Sequence, residues 1–129
     1  MDDLYPCPCC GHLAFAELPG SYEICSICFW EDDLVQLRWP DWTGGANRPS
    51  LRESQLNVVR FGAMEQRFVG KVQAPAADDR VDDGWRLIDD RDLFEPRGVE
   101  ERPWPADRTE LYWWRPTFWR RDGMSTIER

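Results

Sequence analysis

Two pairs of cysteines, each with two residues between its members, constrain this chain more than any other feature of its sequence. Cys7 and Cys10 form the first pair, Cys25 and Cys28 form the second, and 14 residues lie between the pairs. This paired spacing is typical of a Zn²⁺ site in which four thiolates bind in a tetrahedron at about 2.3 Å. Gly11 supplies the positive φ that such a turn often needs. We therefore predict one structural zinc ion held by these four cysteines, with no open position for a substrate.

The fifth cysteine, Cys9, lies inside the first pair and leaves other assignments open. Cys9 could replace Cys7 or Cys10 as a ligand, and His12 could replace a cysteine if the chain bent back. Metal-free thiols and a redox centre are further alternatives, although the βαβ context of a thioredoxin-like motif is missing. We expect Cys9 to be a spare thiol, either packed in the interior or oxidisable beside the metal.

Length and the N-terminal sequence favour an intracellular protein. The chain has 129 residues, the size of one ordinary domain. Residues 1–5 lack the basic region and apolar core of a secretory signal. No apolar run approaches the roughly 18–20 residues that span a bilayer. We expect a cytoplasmic protein without membrane association, whose cysteines stay reduced and bind metal.

Acidity characterises the whole chain. Asp and Glu number 24 against 16 Lys and Arg, which gives a formal net charge of −8 at pH 7. A nucleic-acid-binding protein needs a cationic surface to displace counterions from phosphates, and this composition supplies none overall. The electrostatic field instead favours a basic protein as partner.

Turn residues divide the N-terminal half into a hairpin and a loop. Pro19-Gly20 is a strong turn dipeptide, so we predict a β-hairpin between the cysteine pairs with its turn at this point. Residues 31–49 are predicted to form an ordered loop anchored by Trp39 and Trp42. Trp30, two residues after Cys28, is predicted to pack over the metal site and shield it from water.

A capping box marks the start of a helix after this loop. The Ser50 hydroxyl can accept from an unpaired amide while Glu53 reaches back, and Gly62 can end the helix that they open over residues 51–61. The apolar positions predict that Leu51, Val58 and Val59 share the buried face.

The composition predicts three parts of the chain. Residues 1–69 form the cysteine-bearing domain, 70–84 a poorly ordered linker, and 85–129 a Trp-rich extension that packs on the first part. Leu111–Trp114 is the strongest β signal of the second half. The predicted fold class is therefore α+β: a small zinc-ribbon-like β-hairpin with a short helix, followed by an irregular Trp-rich half with short strands.

Three stretches together resemble one protein family. They are Cys7-Pro8-Cys9-Cys10-Gly11, then Tyr22-Glu23-Ile24-Cys25 continuing through Cys28-Phe29-Trp30-Glu31-Asp32-Asp33, then Gly44-Gly45-Ala46-Asn47 with Ser50-Leu51. Over roughly residues 5–65 the chain is similar to the bacterial cysteine-rich CPCC domain family. The resemblance implies a small zinc-binding domain and no catalytic residues. Residues 70–129 resemble no family.

Three further clusters have a structural interpretation that we favour over a functional one. Glu31-Asp32-Asp33 could bind a hard cation, but we expect it to cap a turn or pair with an arginine. The acidic stretch 78–84 lacks the spacing of a calcium loop and is predicted to be a solvated linker. Residues 112–121 interleave aromatic and basic side chains as single-stranded nucleic-acid platforms do, but we expect core or a partner surface.

These observations favour a non-enzymatic, zinc-stabilised protein that binds a basic protein partner, with an immunity or antitoxin-like protein as one version. Exposed aromatic side chains are typical anchors of such interfaces; the candidates are Trp39, Trp42, Trp113, Trp114 and Trp119. The alternatives are a thiol redox enzyme or sensor centred on Cys9 and a nucleic-acid-binding zinc ribbon.

Overall fold

A computed structural model describes residues 4–94, 97–98 and 102–119. Strands β1 (Tyr5–Pro6) and β2 (Leu13–Phe15) are followed by helices α1 (Leu34–Arg38) and α2 (Leu51–Phe61), and by two 3₁₀ helices, Gln66–Lys71 and Arg108–Leu111. The predicted small α+β class is confirmed. No helix within these ranges has the length and apolarity to cross a membrane. Arg120 and Arg121, at the end of the predicted aromatic and basic stretch, lie outside the described residues.

The two strands form a hairpin whose turn is the first cysteine pair. They pair antiparallel, with Tyr5 opposite Phe15 and Pro6 opposite Leu13. The predicted hairpin with its turn at Pro19-Gly20 is wrong, although the chain does turn there with Gly20 at a φ of +94°. The residues after this turn lead into the second cysteine pair. Each cysteine pair is thus flanked by its own short antiparallel pairing of the chain.

Helix α2 matches its prediction in extent and capping. The Glu53 amide donates to Ser50 Oγ at 3.1 Å, the Ser50 amide donates to Glu53 Oε1 at 3.0 Å, and Gly62 ends the helix in the left-handed conformation. The predicted buried face is wrong in part, since Leu51 is buried but Val59 is 69 % exposed. Ser54 and Gln55 complete the buried face instead. Gln55 can be buried because its side chain forms hydrogen bonds in the interior.

Helix α1 lies inside the stretch that was predicted to be a loop. Its five residues are too few to show a helical period in the sequence. Asp33 begins the helix, since its Oδ1 accepts from the amides of Val35 at 2.8 Å and Gln36 at 3.2 Å.

The segment over residues 70–84 runs along the N-terminal part. The Leu13 amide donates to the Arg80 carbonyl at 2.8 Å, and the Asp82 amide donates to the Gly11 carbonyl at 2.9 Å. The Asp82 carboxylate accepts from Trp114 Nε1 at 2.7 Å and from Arg115 Nε at 3.0 Å. The segment therefore forms hydrogen bonds both with the N-terminal part and with the C-terminal part of the chain. The division into 1–69, 70–84 and 85–129 stays a prediction.

The stretch Leu111–Trp114, predicted as the strand of the second half, is not a strand but forms part of the core. Leu111 ends a 3₁₀ helix and the residues after it form turns. The four side chains Leu111, Tyr112, Trp113 and Trp114 are all buried, in one hydrophobic cluster with the cysteines. The large side chains that give this stretch its β-propensity also suit burial in a core. Here tertiary packing buries them without forming a strand.

Candidate metal centre

Each cysteine pair lies in a tight turn, and the two turns have the same backbone hydrogen bonds. In the first, which we call knuckle 1 (residues 7–11), the Cys7 amide donates to the His12 carbonyl at 2.8 Å and the Gly11 amide to the Cys7 carbonyl at 2.7 Å. In knuckle 2 (residues 25–29) the amides of Cys25 and Phe29 donate at 2.9 Å and 2.8 Å to the carbonyls at the equivalent positions. The flanking residues pair in both cases. The chain thus presents two pairs of sulfurs with the same geometry.

The sulfur atoms of both knuckles converge. The Sγ atoms of Cys7, Cys10, Cys25 and Cys28 all lie within 4.8 Å of one another. The distance is 3.6 Å between Cys7 and Cys28 and 3.8 Å between Cys10 and Cys25. A tetrahedral ion with bonds of about 2.3 Å holds its ligands about 3.8 Å apart, whereas a disulfide needs about 2.05 Å. The group therefore fits a metal ion.

Burial and mutual hydrogen bonding set the charge of this group. Burial raises the pKa of Cys7 and of Cys28, whereas hydrogen bonds from Cys10, Cys28 and Cys7 lower the pKa of Cys25. Burial opposes ionisation, so several thiolates at this depth need a cation beside them. Four soft sulfur donors with no oxygen form the set that Zn²⁺ prefers in closed structural sites.

Both knuckles place a left-handed residue directly after their second cysteine. Gly11 has a φ of +81°, and a Cβ at this position would overlap the indole of Trp85. Phe29 has a φ of +73°, which costs a non-glycine residue about 1–2 kcal/mol. The Phe29 ring packs on Phe68 with centroids 4.4 Å apart, and this contact offsets part of that cost. Nothing in the sequence around Phe29 indicates this conformation.

Two other sequence candidates, Cys9 and His12, lie outside the four-sulfur group. Cys9 is 1 % exposed, and burial raises the pKa of its thiol. A reactive cysteine needs an accessible thiolate, so of the two fates expected for Cys9 the packed one fits the structure. His12 contributes no atom to the group.

Trp30 is fully buried in the hydrophobic cluster that also contains the cysteines. Its expected role as a shield of the centre against water stays a prediction.

Asn47 ties the loop after α1 to knuckle 2. Its Oδ1 accepts from the Glu31 amide at 2.8 Å, and its Nδ2 donates to the Glu31 carbonyl at 2.8 Å and to Gln36 Oε1 at 3.0 Å. Glu31 pairs with Ile24, the residue before Cys25. The Asn47 side chain thus pairs with the backbone amide and carbonyl of Glu31, as a neighbouring strand would, and supports the residues that flank knuckle 2.

The carboxylates of Asp32 and Asp33 serve backbone amides. Asp32 Oδ2 accepts from the amides of Gly20 and Ser21, both at 3.2 Å, and from the Ser21 hydroxyl at 2.8 Å. Asp33 caps α1 and also accepts from the Ala46 amide at 2.8 Å. These contacts support the structural interpretation of the Glu31-Asp32-Asp33 cluster over a cation site.

Gln55 connects knuckle 1 to the second half of the chain, a role that the sequence did not indicate. Its Nε2 donates to the Pro8 carbonyl at 3.0 Å, and its Oε1 accepts from the Ile88 amide at 3.1 Å. The side chain is fully buried, so both bonds satisfy groups that water does not reach.

The predicted partner-surface tryptophans divide into two groups. Trp39, Trp113 and Trp114 are 7 %, 1 % and 8 % exposed, so they present almost no ring surface to solvent. Trp39 nevertheless belongs, with Trp42 and Trp119, to a stack of rings and guanidinium groups that we call the Trp–Arg cluster, which consists of Trp39, Trp42, Trp104, Trp119, Arg38 and Arg97.

Within the Trp–Arg cluster, the buried Arg38 guanidinium lies 4.4–4.8 Å from the ring centres of Trp39, Trp104 and Trp119. Arg97 lies 3.7 Å from the ring centre of Trp42. Trp42 and Trp104 are 39 % and 44 % exposed. Trp104 was not among the sequence candidates, although its flanking prolines, which favour an exposed loop, are a signal for it.

Comparison with known proteins adds one finding. Residues 5–79, more than half of the chain, match the family described as Cysteine-rich CPCC, and the chain belongs to this family. The match covers both knuckles and the loop that carries Asn47. It extends beyond residues 5–65, over which the sequence resemblance was found. No curated protein matches the chain.

Proposed function

We propose that this member of the cysteine-rich CPCC family is a zinc-stabilised, non-enzymatic protein that binds a basic protein partner. The observation that carries the proposal is the convergence of four buried sulfurs from two equivalent knuckles. Cys7, Cys10, Cys25 and Cys28 would hold one Zn²⁺ ion. The ion would supply a crosslink between the knuckles, because a site with four protein ligands leaves no position for a substrate.

The Trp–Arg cluster supports the partner part of the proposal. Trp42 and Trp104 expose large rings, which are enriched at the energetic centres of protein interfaces. These rings already pack against guanidinium groups of the chain itself, so an arginine of a partner would find similar surfaces. The net charge of −8 would draw a basic partner towards the chain.

An immunity or antitoxin-like protein that covers a cationic toxin is the narrower version of this proposal. It rests on small size and acidity alone. The observation that would favour it is a toxin gene next to the gene for this chain.

The two alternative functions have less support. A redox function centred on Cys9 needs an accessible thiolate, and Cys9 is buried with a raised pKa. A nucleic-acid-binding ribbon needs a cationic face, and the chain carries eight more acidic than basic residues.

Metal analysis of the natively purified chain tests the zinc part. We expect about one equivalent of zinc per chain and loss of cooperative unfolding after chelation, since structural zinc contributes on the order of 10 kcal/mol to folding. Cys9→Ser should leave the stoichiometry unchanged, whereas Cys25→Ser should abolish it. A metal-free chain that unfolds cooperatively would contradict this part of the proposal.

Peptide binding measured by calorimetry tests the partner part. We expect an arginine-rich peptide to bind more tightly than a lysine-rich peptide of equal charge, because planar guanidinium groups stack on indoles. Trp42→Ala with Trp104→Ala should remove this preference, and the matched control Leu56→Ala with Val59→Ala, at exposed sites on α2, should keep it. Equal binding of both peptides to all variants would show only unspecific attraction.

A further inference from the structure

A groove of about 500 Å³ opens on the surface beside helix α2. Its walls are mostly apolar, and they include Val58 and Phe61 of α2, Val69 of the first 3₁₀ helix, and Val72 and Pro75 of the segment that follows. Val69 is 45 % exposed, and the other four side chains are half-buried or exposed. Apolar side chains that line a concave surface and still reach solvent are typical of a binding site for an apolar group.

The chain holds this groove in shape by itself. The Gln73 amide donates to the Ser26 carbonyl at 3.0 Å, and the Met64 amide donates to the Cys28 carbonyl at 2.8 Å. The Asn57 side chain of α2 donates to the Met64 carbonyl at 3.0 Å. These bonds tie α2 and the segment after the 3₁₀ helix to knuckle 2. Binding to a preformed groove costs little reorganisation.

An acidic stretch of the chain borders the groove. The wall that contains Pro75 continues into residues 78–83, where four aspartates outnumber the single Arg80. His12, which also lines the groove, pairs with Val81 and so keeps this stretch beside it. The exposed aspartates of the stretch, which we call the acidic rim, are Asp78, Asp79 and Asp83.

A basic protein fits an apolar groove with an acidic rim better than a second copy or a metabolite does. Two copies of this chain repel one another, since each has a net charge of −8. A metabolite site adds precisely placed polar groups that orient its ligand, whereas the walls here are mostly aliphatic and aromatic. An apolar side chain of a partner needs only such walls, and a lysine or arginine next to it would meet the acidic rim.

We propose that this groove is the docking site for a large apolar side chain of the basic partner, whose neighbouring lysine or arginine residues face the acidic rim. The inference rests on the proposed function, which supplies the basic partner, and it adds a second contact to the Trp–Arg cluster. The apolar anchor contributes affinity, whereas the charges of the rim orient the partner and speed its association.

Two lysine-rich peptides of equal charge test the groove by calorimetry with the zinc-loaded full chain. One peptide has a phenylalanine at its centre, and the other has a serine at the same position. We expect the phenylalanine peptide to bind about tenfold more tightly, because a large apolar side chain leaves water on binding. Trp42→Ala with Trp104→Ala should keep this preference. Equal binding of the two peptides would overturn the proposal.

A matched pair of variants places the phenylalanine in the groove. Val69 and Val59 are both exposed, but only Val69 lines the groove. Val69→Gln should weaken binding of the phenylalanine peptide about fivefold through the lost apolar contact, and Val59→Gln should not. A preference that survives Val69→Gln and is lost with the Trp42 and Trp104 variant would place the ring on the Trp–Arg cluster and overturn the proposal. A dimer of the chain that Val69→Gln dissociates would assign the groove to a second copy, with the same consequence.

Neutral variants test the acidic rim. Asp78→Asn with Asp83→Asn should weaken binding of both peptides and reduce its salt dependence. Glu17→Gln with Asp90→Asn is the matched control, because it removes two exposed charges outside the rim. Equal weakening by both pairs would refute the rim as the contact. A chain that binds no basic peptide at all would instead contradict the proposed function, so the two failures are distinguishable.

Discussion

Replacing Asn47 by alanine should separate the support of knuckle 2 from the metal ligands themselves. The change removes the side-chain bonds to the Glu31 amide, the Glu31 carbonyl and Gln36 Oε1. Asn47 is 4 % exposed, so water cannot fully replace these bonds. At about 1 kcal/mol for each bond, the free energy of unfolding of the zinc-loaded chain should fall by about 3 kcal/mol. That is a large share of the stability of an ordinary domain.

The same change should weaken metal binding although it touches no ligand. If folding and metal binding are coupled, a loss of about 3 kcal/mol corresponds to an affinity about a hundredfold lower. Urea unfolding of the zinc-loaded chain gives the first quantity, and competition with a chelator of known affinity gives the second. Asn57→Ala is the matched control, because among the described residues the Asn57 side chain makes one hydrogen bond, to the Met64 carbonyl at 3.0 Å. It should cost about 1 kcal/mol.

Two results would refute this reasoning. One is an Asn47→Ala chain as stable as the Asn57→Ala chain, which would mean that the Asn47 bonds contribute no net stability. The other is a clear loss of stability with unchanged zinc affinity, which would mean that knuckle 2 forms independently of the loop that carries Asn47.

Three further changes have defined outcomes in the same unfolding assay. Gly45→Ala should destabilise by more than about 1 kcal/mol, because a Cβ there would lie 2.6 Å from Asp33 Oδ2. Phe29→Gly should be about 1 kcal/mol more stable than Phe29→Ala, since both lose the ring and only glycine relieves the positive φ. Asp32→Asn should flatten the pH dependence of stability: burial raises the pKa of Asp32, so its protonation favours the folded state, and its contribution is lost as pH rises through the raised pKa.

Each of these predictions has a control or a contradicting outcome. Gly70→Ala, where no atom lies within 4 Å of the added carbon, should not destabilise, and equal loss at Gly45 and Gly70 would remove the steric argument. Phe29→Ala as stable as Phe29→Gly would mean that the knuckle relaxes. A steeper pH dependence in Asp32→Asn would mean that the raised pKa of Asp32 is not what drives it.

The candidate centre was largely predictable because its signals are local. Two cysteines separated by two residues fit one tight turn, so the spacing favoured the four sulfurs that the structure brings together, although it left Cys9 open as a replacement for Cys7 or Cys10. The capping box of Ser50 and Glu53 also acts within one helical turn, and helix α2 follows it. Neither depends on what the rest of the chain does.

The pairing of the strands was not predictable, because Pro19-Gly20 is a correct turn signal that does not say which residues pair across it. In the structure the strands pair across knuckle 1, which lies between β1 and β2.

By itself the sequence determined the four sulfur donors, helix α2 and the acidic charge, since each depends on residue identity or short spacing. The tertiary structure decided which side chains are exposed. Trp39, Trp113 and Trp114 are buried, while Trp42 and Trp104 are not. Burial depends on contacts between residues far apart in the chain, which local sequence patterns do not specify.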